Sequence, residues 1–156
     1  MGWTAPPTFT DTQSMTVAIM NTYLRDNLNF LKTRPWTKAA ISGTTTSATF
    51  AAATASASLT TYGGAVLIVF QGYHSNTGVS VSSAIDFYID GVQQGDATNG
   101  TLLFNTHTTA NGNMTIRPFF ITSTPPSAGS HTYEVYRKTA SGTLTLTGTL
   151  YVVEWF

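Results

Sequence analysis

The chain has 156 residues, no net charge at neutral pH, no cysteine, and charged side chains at only 9% of positions, against a typical ~25%. The lack of cysteine excludes disulfides and thiolate metal sites, and no basic run exceeds Arg137-Lys138, which argues against nucleic acid as a partner. The length fits one globular domain plus an appendage, and a surface so poor in charge suits packing against copies of itself or a partner.

Residues 1–13 read as an extended arm with Trp3, Pro6, Pro7 and Phe9. The prolines stiffen it and the aromatics give it something to bury. No basic region followed by an apolar segment marks a secretory leader, so synthesis and action in the cytosol, or departure within an assembly, is expected. One amphipathic helix is predicted within Phe9–Lys32, capped by Ser14 or Thr16 and closed by Pro35. At 100° per residue, Val17, Met20, Leu24, Leu28 and Leu31 fall on one stripe. Ile19, Tyr23 and Phe30 form a second stripe about 120° away, and Asn21, Arg25, Asn29 and Lys32 make the polar side. The first stripe approximates a short coiled-coil seam between subunits. The second, with Trp3 and Phe9, would dock on another surface. So short a helix is marginal alone and is expected to form in an assembly; the alternative is packing against the chain's own sheet. Four basic groups within the first 38 residues (Arg25, Lys32, Arg34, Lys38) face only Asp11 and Asp26, a mild bias towards an acidic docking surface.

Residues 37–62 are rich in Thr, Ser and Ala. They read as a linker, or as one or two short strands on the strength of Phe50, Leu59 and Tyr62. From Gly63 the pattern is all-β, with turn residues at regular intervals. Ala65–Tyr73 is apolar on both faces, as for a central strand. Its apolar run is far too short to span a membrane. In Ala84–Asp90, Ile85, Phe87 and Ile89 face in while Asp86, Tyr88 and Asp90 face out. Strands are also predicted at Thr101–Asn105, Met114–Thr122, His131–Arg137, Thr143–Thr147 and Thr149–Phe156. The last is apolar on nearly both faces, which places it mid-sheet or in a subunit interface. The expected organisation is an arm and helix over 1–36, linker or first strands over 37–62, and a mainly β, antiparallel jelly-roll sandwich over 63–156.

Catalytic constellations are hard to find. His74, His107 and His131 lack metal-ligand spacing and read as surface or turn residues. Paired carboxylates of a glycosidase stand roughly 5–9 Å apart, whereas Asp86 and Asp90 on one strand are about 13 Å apart at ~3.3 Å per residue. The loop from Gly95 to Gly100 has too few oxygen ligands for a dedicated calcium site and reads as a turn, as does Asp90-Gly91. Tyr73, Tyr88 and Tyr136 could contact sugars or a host receptor, but sheet or interface packing is the better reading. No enzyme activity, cofactor or metal is expected.

Two stretches resemble a known class. The segment FTDTQSMTVAIMNTYLRDNLNFLK, through Met20-Asn21 and Leu24–Leu28, is similar to the start of tailed-bacteriophage structural proteins. Gly64–Phe70, Phe87–Gly91, Ala128–Val135 and Leu150–Trp155 resemble the trimeric jelly rolls of the tumour-necrosis-factor and C1q type found in phage fibres, spikes and capsid decoration proteins. The resemblance implies a virion protein and a homotrimer. The expected function is a capsid decoration (head-fibre or cement) protein, anchored to the major capsid protein or another virion protein by its N-terminal segment. The alternative is a tail-fibre protein binding a host surface receptor. Neither nucleic acid nor membrane is an expected partner.

Overall fold

The computed structural model describes residues 16–26, 28, 34–105, 110 and 112–155. The chain divides into two compact units, Met1–Pro35 and Trp36–Phe156. In the first, the Thr16 hydroxyl accepts a hydrogen bond from the Ile19 amide at 3.2 Å and caps α1, Val17–Met20. This single α-turn runs into a π-helical turn, Asn21–Asp26. The uniform α-helix expected from the sequence is not what forms over these residues. A π-turn rotates less per residue than an α-turn, so the 100° wheel holds for the first turn only. No α1 residue is buried, and most helical regularity in proteins comes from a packed face. The arm over 1–13 and the last predicted helical turn lie outside the described residues.

The second unit holds two antiparallel sheets. Its strands are β1 Trp36–Thr45, β2 Ala51–Tyr62, β3 Val66–Asn76, β4 Ser82–Ile89, β5 Val92–Gln93, β6 Leu102–Asn105, β7 Met114–Ile116, β8 Phe119–Ile121, β9 Ala128–Thr139 and β10 Leu144–Glu154. The first sheet runs β1-β10-β3-β7, with β8 also on β3; the second runs β2-β9-β4-β5, with β6 also on β4. Six of the nine connections between these strands cross from one sheet to the other, which is the winding of a jelly roll. Residues 37–62 are therefore the first strands rather than a linker, and both are longer than the short strands expected. They supply an edge strand to each sheet, and the sandwich begins at Trp36 rather than Gly63.

Alternation fixes the core. Val66, Ile68 and Phe70 on β3 and Leu146, Leu150 and Val152 on β10 point inward, as period-two geometry requires. They meet Ile85, Phe87, Tyr133 and Val135 from the second sheet. The predicted strand Met114–Thr122 is split at Arg117-Pro118, because proline cannot donate to a ladder. The Pro118 carbonyl instead accepts from the Phe70 amide at 3.0 Å. The two predicted C-terminal strands are one, β10, continuous through Gly148. That glycine pairs with Gly72, and a Cβ on either would stand 2.6 Å from Phe70 Cζ. The two glycines make room for the ring.

Buried polar side chains tie the corners. The Arg137 guanidinium on β9 donates to the Thr44 and Ala52 carbonyls at 2.8 and 3.0 Å, linking the two edge strands. Glu154 Oε1 accepts from the Tyr62 and Gly64 amides at 2.8 and 2.7 Å. Register places Trp36 beside Val153 at one end of the sandwich. The β1–β2, β3–β4 and β9–β10 connections lie at the other, about 33 Å away at ~3.3 Å per residue.

Candidate functional site

The outer face of the first sheet carries two apolar rows. Trp36, Val153, Leu67 and Ile121 are consecutive cross-strand neighbours on β1, β10, β3 and β8; Lys38, Tyr151, Val69 and Phe119 form the adjacent row. Trp36, Phe119 and Ile121 are 60%, 64% and 51% exposed, and the other apolar members are half-buried by their neighbours. Large side chains in contact across strands stabilise the sheet, but a contiguous exposed patch of this kind marks an interaction surface. Further along the same face the rows turn hydroxylic: Ser42, Thr147, Tyr73 and Thr115, with Thr44, Thr145 and Ser75 beyond. The apolar half lies at the end where the chain enters β1.

The site residues chosen from the sequence belong to the other unit. Val17, Met20, Leu24 and Leu28 of the seam stripe are exposed, and Ile19 of the docking stripe is half-buried. Trp3, Phe9, Phe30, Leu31 and the Tyr23 side chain lie outside the described residues. Sequence reasoning did not assign the sheet face as a site. Its signal was there in two strands that are apolar on both sides.

Asp86, Asp90 and Asp96 are engaged in local hydrogen bonds. Asp86 was expected to face solvent but is fully buried. It keeps the predicted side of the sheet, and the segment after β5 folds over it. Its Oδ1 accepts from the Phe87 and Gly95 amides and the Thr101 hydroxyl at 2.8, 3.0 and 2.6 Å, and its Oδ2 accepts from Gln93 Nε2 at 2.6 Å. Asp96 Oδ1 accepts from the Thr98 and Asn99 amides, an Asx turn that shapes the Gly95–Gly100 loop. Asp90 (φ 51°) and Gly91 (φ 78°) form the left-handed turn between β4 and β5, the primed type that suits a two-residue hairpin.

The histidines differ. His74 was expected at the surface or in a turn, yet it lies on the inner face of β3, fully buried against Phe104 at 4.1 Å between ring centroids. Burial lowers its pKa to about 4. His131 Nδ1 contacts Asp90 Oδ2 at 2.6 Å and Nε2 contacts the Ser127 carbonyl at 2.8 Å. Both partners are acceptors, so the imidazolium, with two N–H donors, fits. The hydrogen bonds to Asp90 and Ser127 raise its pKa. The Thr132 amide and then His131 hold the Asp90 carboxyl below its usual range. His107 lies outside the described residues. Tyr88 and Tyr136 stack on each other at 3.6 Å, so one face of each ring is already covered.

No family profile matches the chain, and no curated protein matches it in sequence. Among solved structures, the chain is similar to that of infectious bursal disease virus, Gx strain (11% identity, 77% of this chain and 32% of that one, TM-score 0.48). It is similar to the VP2 subviral particle of infectious bursal disease virus (10% identity, 77% and 32%, TM-score 0.48). It is also similar to the Eiger TNF of S. frugiperda (10% identity, 79% and 94%, TM-score 0.41). The chain spans about a third of the length of the bursal disease virus chains. Likeness at this level says nothing of what this chain binds or builds.

Proposed function

We propose that this chain is a non-catalytic bacteriophage structural protein, a homotrimeric capsid decoration or head-fibre subunit. Its jelly roll associates with copies of itself through the outer face of the first sheet. Residues 1–35 attach it to the major capsid protein or another virion protein, with Trp3, Phe9, Ile19, Tyr23 and Phe30 docking and the Val17 stripe forming a seam. The observation that carries the reading is the pair of apolar rows ending in Trp36, Phe119 and Ile121. A second copy is the occupant that fits. Lys38 is the one charge in those rows, so copies meet there with little like-charge opposition. Trp36, Phe119 and Ile121, each more than half exposed, with the half-buried Tyr151, Leu67, Val69 and Val153 between them, supply the apolar centre of such an interface. The phage-like N-terminal motif supports a virion setting. The engagement of Asp86 and Asp90 in local hydrogen bonds supports a structural role.

Sedimentation of the full chain should give a trimer, and Phe119→Lys with Ile121→Lys should give a folded monomer. Val92→Lys, an exposed site on the second sheet, should leave the trimer intact. A stable monomer of the unaltered chain would overturn the assembly. The purified protein should bind undecorated capsids. Binding to host cells that competes with infection, with no affinity for capsid, would instead select the tail-tip receptor-binding role.

A further inference from the structure

The geometry points to a binding site for a carboxylate-bearing sugar, of the uronic or sialic acid class, in the cavity beside Lys138. This cavity of about 420 Å³ lies on the second sheet, between the start of β4, the Thr98-Asn99 turn, β6 and the end of β9. That volume falls within the ~300–1,000 Å³ of small-ligand sites and exceeds what a bare anion needs.

The lining chemistry selects the ligand. Among the described residues, Lys138 is the one charged residue in the wall, and no carboxylate lines it. Its ammonium donates to the Thr98 carbonyl and stands 4.5 Å from the centre of the Phe50 ring. These two contacts hold the side chain in place. An ammonium has three donors, so donors remain for a ligand carboxylate. Ser82, Thr98 and Asn99 add hydroxyl and amide groups, while the exposed Leu103 adds an apolar surface. A carbohydrate ring presents that same mixture, with hydroxyls at its edge and C–H groups on its face. The Ser83 and Thr139 hydroxyls, 3.1 Å apart and buried, lie on the inner side of the sheet, where Asn76 of the first sheet donates to Thr139, so the polar groups facing the cavity are those of Ser82, Thr98, Asn99 and Lys138. A phosphate site would want several convergent N–H donors, and this wall offers hydroxyls instead.

The cavity also sits at the end of the sandwich away from Trp36, because Ser82 opens β4 just after the β3–β4 connection. A subunit held by the segment before Trp36 would present this end outward. Binding itself does not depend on that placement or on the proposed virion role.

The test is titration of the full chain with sodium glucuronate, N-acetylneuraminate, glucose and inorganic phosphate, followed by amide chemical shifts. Saturable binding of a sugar acid is expected, with shifts centred on Ser82, Thr98 and Asn99. Glucose should bind at least ten-fold more weakly. Lys138→Gln should weaken the sugar acid about ten-fold, and Ser82→Trp, at an exposed position that fills the mouth, should abolish binding without loss of fold. No saturable binding by either acid, equal binding of glucose, or phosphate binding as tight as either acid would each overturn the assignment. So would shifts that map elsewhere.

Discussion

Burial of His74 and pairing of His131 couple stability to pH in opposite directions. With the His74 pKa lowered to about 4, the unfolded chain binds the proton that the folded chain refuses between about pH 6.5 and 4. Stability therefore falls as pH drops through that window. His131 has a raised pKa, so its contribution is fully present below about pH 6.5 and is lost as pH rises through its folded value. Asp90, lowered, contributes above its unfolded value and loses that contribution as pH falls through its folded one. His74→Phe should raise the melting temperature more at pH 5 than at pH 8, since the site is already lined by Phe104. His131→Asn should lower it more at pH 6 than at pH 9. Thermal scans across that range check both. Asp90 is exposed, so the His131 effect should shrink with salt.

At the level of elements, alternation made β3, β4, β9 and β10 legible, because large apolar residues there meet a facing sheet. The edge strands were harder to read. Inward positions on β1 and β2 are mostly small, including Ala39, Ala53, Ala55 and Ala57. The structure shows why: the two strands converge, with the Thr54 hydroxyl donating to the Ser42 carbonyl at 2.5 Å. Narrow space calls for alanine and glycine, which carry little strand signal. Asp86 was assigned to the correct side of its strand, but alternation cannot show that a later loop covers that side. Gly148 looked like a break because its partner ring, Phe70, is distant in sequence. Gly148→Ala should cost about 1–3 kcal/mol by overpacking. The added Cβ would also clash with the Gln71 carbonyl oxygen, so Phe70→Leu should recover only a minor part of that loss in the double variant, as denaturant unfolding will report.

For the molecule as a whole, every residue of the described hydrophobic core lies within Trp36–Phe156. Deleting residues 1–35 should therefore leave a cooperatively melting β-unit with unchanged sheet content by circular dichroism. It should abolish attachment to capsids, and retained binding would refute the anchor. The candidate sheet face was half legible: doubly apolar strands announced a hidden side, but only the register shows that Trp36, Leu67, Ile121 and Val153 share one row.

The pairing of Trp36 with Val153 also sets how the fold carries force. Pulled apart at these two neighbours, β1 would peel from β10 one hydrogen bond at a time, as a zipper opens. Pulled between Trp36 and the loops at the far end, the same ladder of ten residue pairs is loaded along its length and must yield all at once. A subunit tethered through the start of β1 and gripped at its opposite tip is therefore held in its mechanically strong direction. Single-molecule extension along the two axes should show the second rupturing at the higher force.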